Sequence, residues 1–206
     1  MILPSVMAKS QKELNQLLKK LKGVSKHLHL DVVSTSYANN HSLDFKFKLK
    51  KDFSYQAHLM IKNPRAWIKA NKKRVTLAIV QFEEINLKNY ITWAKKENIK
   101  VAIALKPQTK TSQIKPFLKD IHTILILTVN PGFYGARFLK SPLKKIEQIK
   151  KINPKIKIIV DGHMNPKTIQ LAKKAGADNF ISGSFISKSD HPKKAIRELK
   201  SAIKNS

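Results

Sequence analysis

No cysteine occurs anywhere in the chain. Disulfides and thiolate metal sites are therefore excluded, and the composition fits a reducing compartment. Long apolar runs are missing too. No segment approaches the roughly 18 consecutive apolar residues that a membrane span requires. The opening stretch MILPSVMAKSQKELNQ carries its charges after its apolar residues, the reverse of a secretory signal. A cytoplasmic protein with no membrane partner is expected. Acidic residues are scarce: 13 Asp and Glu stand against 41 Lys and Arg, a formal charge of +28. Aromatics are only 7% of the chain and do not interleave with the lysines as in a base-stacking platform. The lysines are spread along helix surfaces, as in KKLKG, KKIEQIKKI and KKAIRELKSAIKN, rather than gathered in one tail. The charge reads as a lysine-biased composition. Nucleic acid is the less favoured partner, and a phosphorylated small molecule is the better one to be drawn in.

What is present is core-forming material in a regular order. Hydrophobic residues are 42% of the 206, enough for a single domain over residues 1–206. Short apolar runs alternate with segments of helical period. Strands are expected at 2–7, 27–33, 55–61, 75–80, 101–105, 123–129, 155–160 and 178–183. Helices are expected from Ser10 to Leu21, at 64–71, 86–97, 141–152 and 166–176, and in the C-terminal run after His191. A short one around SQIKPFL breaks near Pro116. Most strands are continuous apolar runs, as strands buried on both faces are. This order predicts an α/β fold, a (β/α)8 TIM barrel with short helices and loops; an open doubly wound sheet is the alternative. Residues 34–54 stand apart. There DFKFKLK alternates with period 2, so it reads as a strand or extended loop where a barrel wants its second helix.

The stretch HLHLDV (27–32) puts Leu28, Leu30 and Val32 on one face and His27, His29 and Asp31 on the other. In a closed barrel the polar face points inward, where an unpaired carboxylate is costly. The active site of this fold lies at the C-terminal ends of the strands. There the sequence places Ser5, His29 and Asp31, His58, the run TVNPGFYGARF (128–138), Asp161, and Gly183 with Ser184. Any one of His29, Asp31, His58 and Asp161 alone reads as a satisfied core polar group. Together, on three strand ends, they point to one divalent metal ion such as Zn²⁺, Fe²⁺, Co²⁺ or Mn²⁺. His27, two residues earlier, is expected deeper in the barrel and structural. Four of the six glycines, Gly132, Gly135, Gly162 and Gly183, follow strands six, seven and eight. Glycine lets backbone N–H groups approach an anion, and these loops are where this fold binds phosphate.

These motifs resemble the ribulose-phosphate 3-epimerase family. The resemblance runs from LPS (3–5) to the turn at Ser184 and is carried most strongly by TVNPGFYG (128–135). HLDV (29–32), HLM (58–60), VDG (160–162) and AGADNFISGS (175–184) follow in matching order. It implies a metal-dependent isomerase of the pentose phosphate pathway that inverts C3 between D-ribulose 5-phosphate and D-xylulose 5-phosphate. Asp31 and Asp161 would be the two acid–base groups, working through a cis-enediolate, and would share the metal with His29 and His58. Ser5 would bind a substrate oxygen, with His58 and Met60 also lining the substrate site. The loop Gly132, Phe133, Tyr134 and Gly135 would fold over the substrate. Gly162, the His163 backbone, Gly183 and Ser184 would hold the phosphate. A homo-oligomer is also implied.

The sequence departs from the family pattern at several places. Val33-Ser34-Thr35 follows HLD where the family has Met-Asp-Gly. Val33 and Leu127 stand at two methionine positions, while Met60 is kept. Tyr134 and His163 replace glycines, Gln81 replaces a histidine, and Lys106 an asparagine. None of these removes a ligand or an acid–base group. Two other functions stay open: epimerisation of another ketose phosphate, such as a hexulose 6-phosphate, and a catalytically impaired barrel with a binding role.

Overall fold

The computed structural model describes residues 1–131 and 136–205. Strands β1 (Ile2–Val6), β2 (His27–Val33), β3 (Ser54–Met60), β4 (Val75–Gln81), β5 (Ala102–Leu105), β6 (Thr123–Leu127), β7 (Lys157–Asp161) and β8 (Asn179–Ser182) hydrogen-bond in chain order. Each pairing is parallel, and β8 closes on β1. The fold is therefore the expected (β/α)8 barrel, not an open sheet. Its helices are α1 (Gln11–Leu21), α2 (Pro64–Asn71), α3 (Leu87–Lys96), α4 (Thr111–Ile114), α5 (Leu143–Ile152), α6 (Pro166–Lys174), α7 (Ser184–Ser187) and α8 (Pro192–Lys204).

Local chemistry starts these helices. The side chains of Ser10, Asn63, Asn86 and Asn165 each accept a first-turn N–H. Pro64 and Pro166 sit just inside, where their missing N–H costs nothing. No helix lies between β2 and β3. Val33 instead bridges antiparallel to Ser42, and the DFKFKLK stretch is an extended loop. Phe45, Phe47 and Leu49 pack onto the core while Lys46, Lys48 and Lys50 face water. The alternation seen in the sequence is thus an apolar strap covering the wall where a helix would sit.

The core has two parts, separated by the barrel wall. Leu28, Leu30 and Val32 belong to the large cluster between strands and helices. Leu3, Ile79, Ala102, Ala104, Leu125, Leu127, Ile159 and Ile181 form a second cluster, in the lumen. Period 2 along each strand sends alternate residues inward. Residues aligned on neighbouring strands include Ser5 with His29, Asp31 with His58, and Leu127 with Asp161. His27 departs from expectation. As the first residue of β2 it sits exposed rather than deep in the lumen, and Ser25 Oγ accepts its backbone N–H.

Asp178 ties the closing strands together. Its Oδ2 accepts the Ile158 N–H and a Lys150 Nζ proton, both at 2.8 Å. Its own N–H donates to Ile158 O. Partial burial opposes its charge, but the Ile158 N–H, Lys150 and Lys157 outweigh that and hold the carboxyl below its ordinary value of 3.8. A carboxyl held low stabilises the fold only while ionised. Asp178→Asn should therefore lower stability at pH 7 by about 1–2 kcal/mol, after allowing for solvent screening. The deficit should close as the pH falls below the ordinary aspartate range. Denaturant titrations of both proteins between pH 3 and 8 check this; a deficit unchanged by pH would remove the electrostatic role.

Candidate active site

The inward faces of β2, β3 and β7 bring His29, Asp31, His58 and Asp161 together. One ligand atom from each lies within 4.8 Å of all the others. His29 and His58 are fully buried, with ring centroids 6.2 Å apart. Neither nitrogen of His29 has a hydrogen-bond partner. Its Nε2 stands 3.4 Å from Asp31 Oδ1, an electrostatic contact without hydrogen-bond geometry. His58 Nδ1 is also buried without a partner, while its Nε2 is 2.9 Å from Gln81 Oε1. Buried polar atoms are nearly always satisfied. Two imidazoles, each with an orphaned nitrogen, clustered with two carboxylates fit a divalent cation, and the mixed N/O donor set suits Zn²⁺, Fe²⁺, Co²⁺ or Mn²⁺.

The charges support the same fit. Burial and then the neighbouring Asp31 charge push Asp161 up to about 7. Asp31 is shifted the other way: burial opposes its charge, but His29, His58 and the Ser5 hydroxyl outweigh it. Burial pulls His58 down to about 4, so its ring is neutral at pH 7 and keeps a lone pair to give. Burial also opposes protonation of His29, yet Asp31 and Asp161 raise it overall. Two carboxylates forced together in a desolvated pocket resist double ionisation. A cation between them would relieve that strain.

Other expected residues gather around this quartet. Ser5 Oγ donates to Asp31 Oδ2 at 2.6 Å. One cavity is lined by Ser5, Asp31, His58, Met60 and Asp161, and its wall continues through His163, Gly183 and Ser184. His29 and Gly162 are not among the residues that line it. Gly162 has φ +124°, and a Cβ there would meet Thr128 Oγ1 and Val129 at 2.9 Å, so only glycine fits. His163 follows with φ +54°, a left-handed conformation carried by a non-glycine residue. Thr128 Oγ1 pins this turn to β6 through the Asp161 and Gly162 carbonyls. Gly183 differs: a Cβ there would make only ordinary contacts with Ser5. Gly132, Phe133, Tyr134 and Gly135 lie outside the described residues, but Pro131 and Ala136 on either side line the cavity.

Sequence reading missed several neighbours. Tyr37 and Asn40, from the segment between β2 and β3, line the cavity. The Tyr37 hydroxyl is buried without a partner, and Lys106 Nζ sits 5.5 Å from its ring centroid. No local pattern marks residues that a loop folds back over a barrel mouth. Met7 and Met164 line the cavity beside Met60, so three of the chain's four methionines are here. The short helix α7 was also missed, its 4 residues being too few to show a period.

The Ribulose-phosphate 3 epimerase family model matches residues 1–187. Ribulose-phosphate 3-epimerase of Bacillus subtilis is 29% identical over 211 residues, covering 97% of each chain. Ribulose-phosphate 3-epimerase of Helicobacter pylori strain 26695 is 32% identical over 195 residues, covering 89% of this chain and 90% of its own. Among solved structures, KGPDC from Streptococcus mutans superposes with a TM-score of 0.73 at 13% identity, over 99% of this chain and 97% of that one. A 3-hexulose-6-phosphate synthase gives 0.68 at 18% identity, over 98% and 99%. At such identities these two structures bear on the fold alone. The family match extends over most of the barrel and over all four residues of the buried quartet, and the chain belongs to the ribulose-phosphate 3-epimerase family of carbohydrate isomerases.

Proposed function

We propose that this protein interconverts D-ribulose 5-phosphate and D-xylulose 5-phosphate. The observation that carries the proposal is geometric: two carboxylates, the buried Asp31 and the partly buried Asp161, meet His29 and His58 with ligand atoms within 4.8 Å of one another at the barrel mouth. Inversion at a carbon needs a base on one face and an acid on the other. Burial and then the Asp31 charge push Asp161 up to about 7, whereas burial of Asp31 is outweighed by His29, His58 and the Ser5 hydroxyl, which hold it low. One carboxylate removes the C3 proton, leaving an enediolate, and the other returns a proton to the opposite face. A divalent cation held by His29, Asp31, His58 and Asp161 would supply Lewis-acid stabilisation to the substrate oxygens.

The chain's other groups bind and orient. Ser5 steadies Asp31 by its hydrogen bond and lies where a substrate oxygen can share it. The first N–H groups of a helix have no partner within it. Those at Ser184, with the backbone of Gly162, His163 and Gly183, are the proposed phosphate cradle. Residues 132–135 are proposed to cover the substrate and exclude water. Barrel elements run from Ile2 to Lys204, which supports a single domain. No helix among the described residues is long and apolar enough to cross a membrane.

Proton exchange tests the reaction directly. Metal-loaded protein is incubated with D-ribulose 5-phosphate in deuterated water and C3 is followed by NMR. Deuterium at C3 with xylulose 5-phosphate appearing is the expected outcome. No exchange with metal bound would point to another ketose phosphate. Asp161→Asn should cut turnover by about 10²–10⁴-fold while the unfolding midpoint holds or rises, because a strained buried carboxyl has gone; an active variant would take Asp161 out of the mechanism. His58→Ala should lower the metal content found by elemental analysis, and an unchanged content would refute its role as a ligand.

A further inference from the structure

Beyond the quartet, a chain of polar side chains leads away from His58. Gln81, at the end of β4, is 1% exposed and sits beside the fully buried His58. His58 Nε2 is 2.9 Å from Gln81 Oε1, and Gln81 Nε2 is 2.5 Å from Glu83 Oε2. Glu83 Oε1 accepts the Thr109 hydroxyl, and the Lys106 backbone N–H at 3.0 Å. Lys145 Nζ in turn holds the Lys106 and Pro107 carbonyls, both at 2.7 Å. The loop after β5 is therefore anchored on both its N–H and C=O groups.

Donor–acceptor logic runs one way along this chain. With three donors converging on it, Glu83 is an acceptor throughout. Gln81 must then turn its NH₂ toward Glu83 and its carbonyl toward His58. An amide carbonyl only accepts, so His58 Nε2 must carry the proton. A neutral imidazole protonated at Nε2 has its lone pair at Nδ1, the buried nitrogen that has no protein partner. We infer that Gln81, oriented by Glu83, is a positioning residue that fixes the His58 tautomer and aims Nδ1 at the metal site. The inference rests on the metal reading proposed above and adds Gln81 and Glu83 to it as outer support.

The test uses the full-length chain and Zn²⁺ or Co²⁺ as probe. Long-range ¹H–¹⁵N correlation of the metal-free protein should show His58 protonated at Nε2 and bare at Nδ1. Gln81→Leu should weaken metal binding by about 10–100-fold and leave His58 in mixed tautomers. The exchange Gln81→Glu with Glu83→Gln keeps every bond and reverses only the one between the two positions: position 81 still accepts from His58, and position 83 now donates to it while still accepting from Thr109 and Lys106. It should recover most of the lost affinity, and it keeps the test alive should Gln81→Leu fail to fold. Wild-type affinity in Gln81→Leu, or a His58 bare at Nε2, would overturn the positioning role. So would a double variant that unfolds cooperatively yet binds metal as weakly as Gln81→Leu. A wild-type chain that binds neither cation would overturn the metal reading itself.

Discussion

Barrel closure is the constraint on which the rest depends. A closed parallel sheet has no edge and no solvated face, so alternate residues of every strand are committed to a lumen without bulk water. Over most of its depth this lumen is filled by Leu3, Ile79, Leu125, Ile159 and their apolar neighbours. At the C-terminal ends the same geometry forces inward Ser5, His29, Asp31, His58, Gln81 and Asp161. A buried carboxylate is tolerated only when paired, protonated or metal-bound. Asp31 is paired and Asp161 is driven toward its protonated form. The same desolvation that makes the quartet costly accompanies a separation of the two carboxylates' proton affinities.

Holding such a cluster in place takes a second layer of bonds. Thr128 fixes the turn after β7, and Ser5 fixes Asp31. Gln81 and Glu83 fix His58 against the loop after β5. Every one of these supports joins a strand end to its neighbour in the barrel or to the loop that follows it. The site is therefore as rigid as the sheet beneath it. His29 is the exception. Both its ring nitrogens lack hydrogen-bond partners, so its orientation depends on packing and on whatever occupies the centre.

Much of this was legible in the sequence, for a physical reason. Period 2 in HLHLDV separates an apolar face from a polar one, and barrel closure decides which goes inside. Once the strands were placed, His29, Asp31, His58 and Asp161 converged without further input. The strap over 44–50 showed its alternation but not its destination, because an extended segment reads alike in a sheet or lying along a wall. His27 was misplaced because the inward rule applies within the wall and lapses at a strand's first residue. Gln81 showed only as a departure from the family pattern. Its role depends on Glu83, Thr109 and the Lys106 backbone, whose partnership is set by tertiary contact rather than by spacing.

The charge of the whole chain meets the charge of the site at this point. Asp31 and Asp161 are the only acidic residues lining the cavity among the described residues. They would repel a phosphate ester at short range. On the proposed reading a bound cation would offset that locally, and the first-turn backbone of α7 would give the phosphate uncharged donors. At longer range the +28 of the chain raises the concentration of anions around the barrel. Screening confines that effect to about 8 Å at physiological salt. Attraction of this kind operates at the surface, and on the proposed reading discrimination between ketose phosphates would be left to the cavity wall. There Tyr37, Asn40 and the three methionines line the cavity.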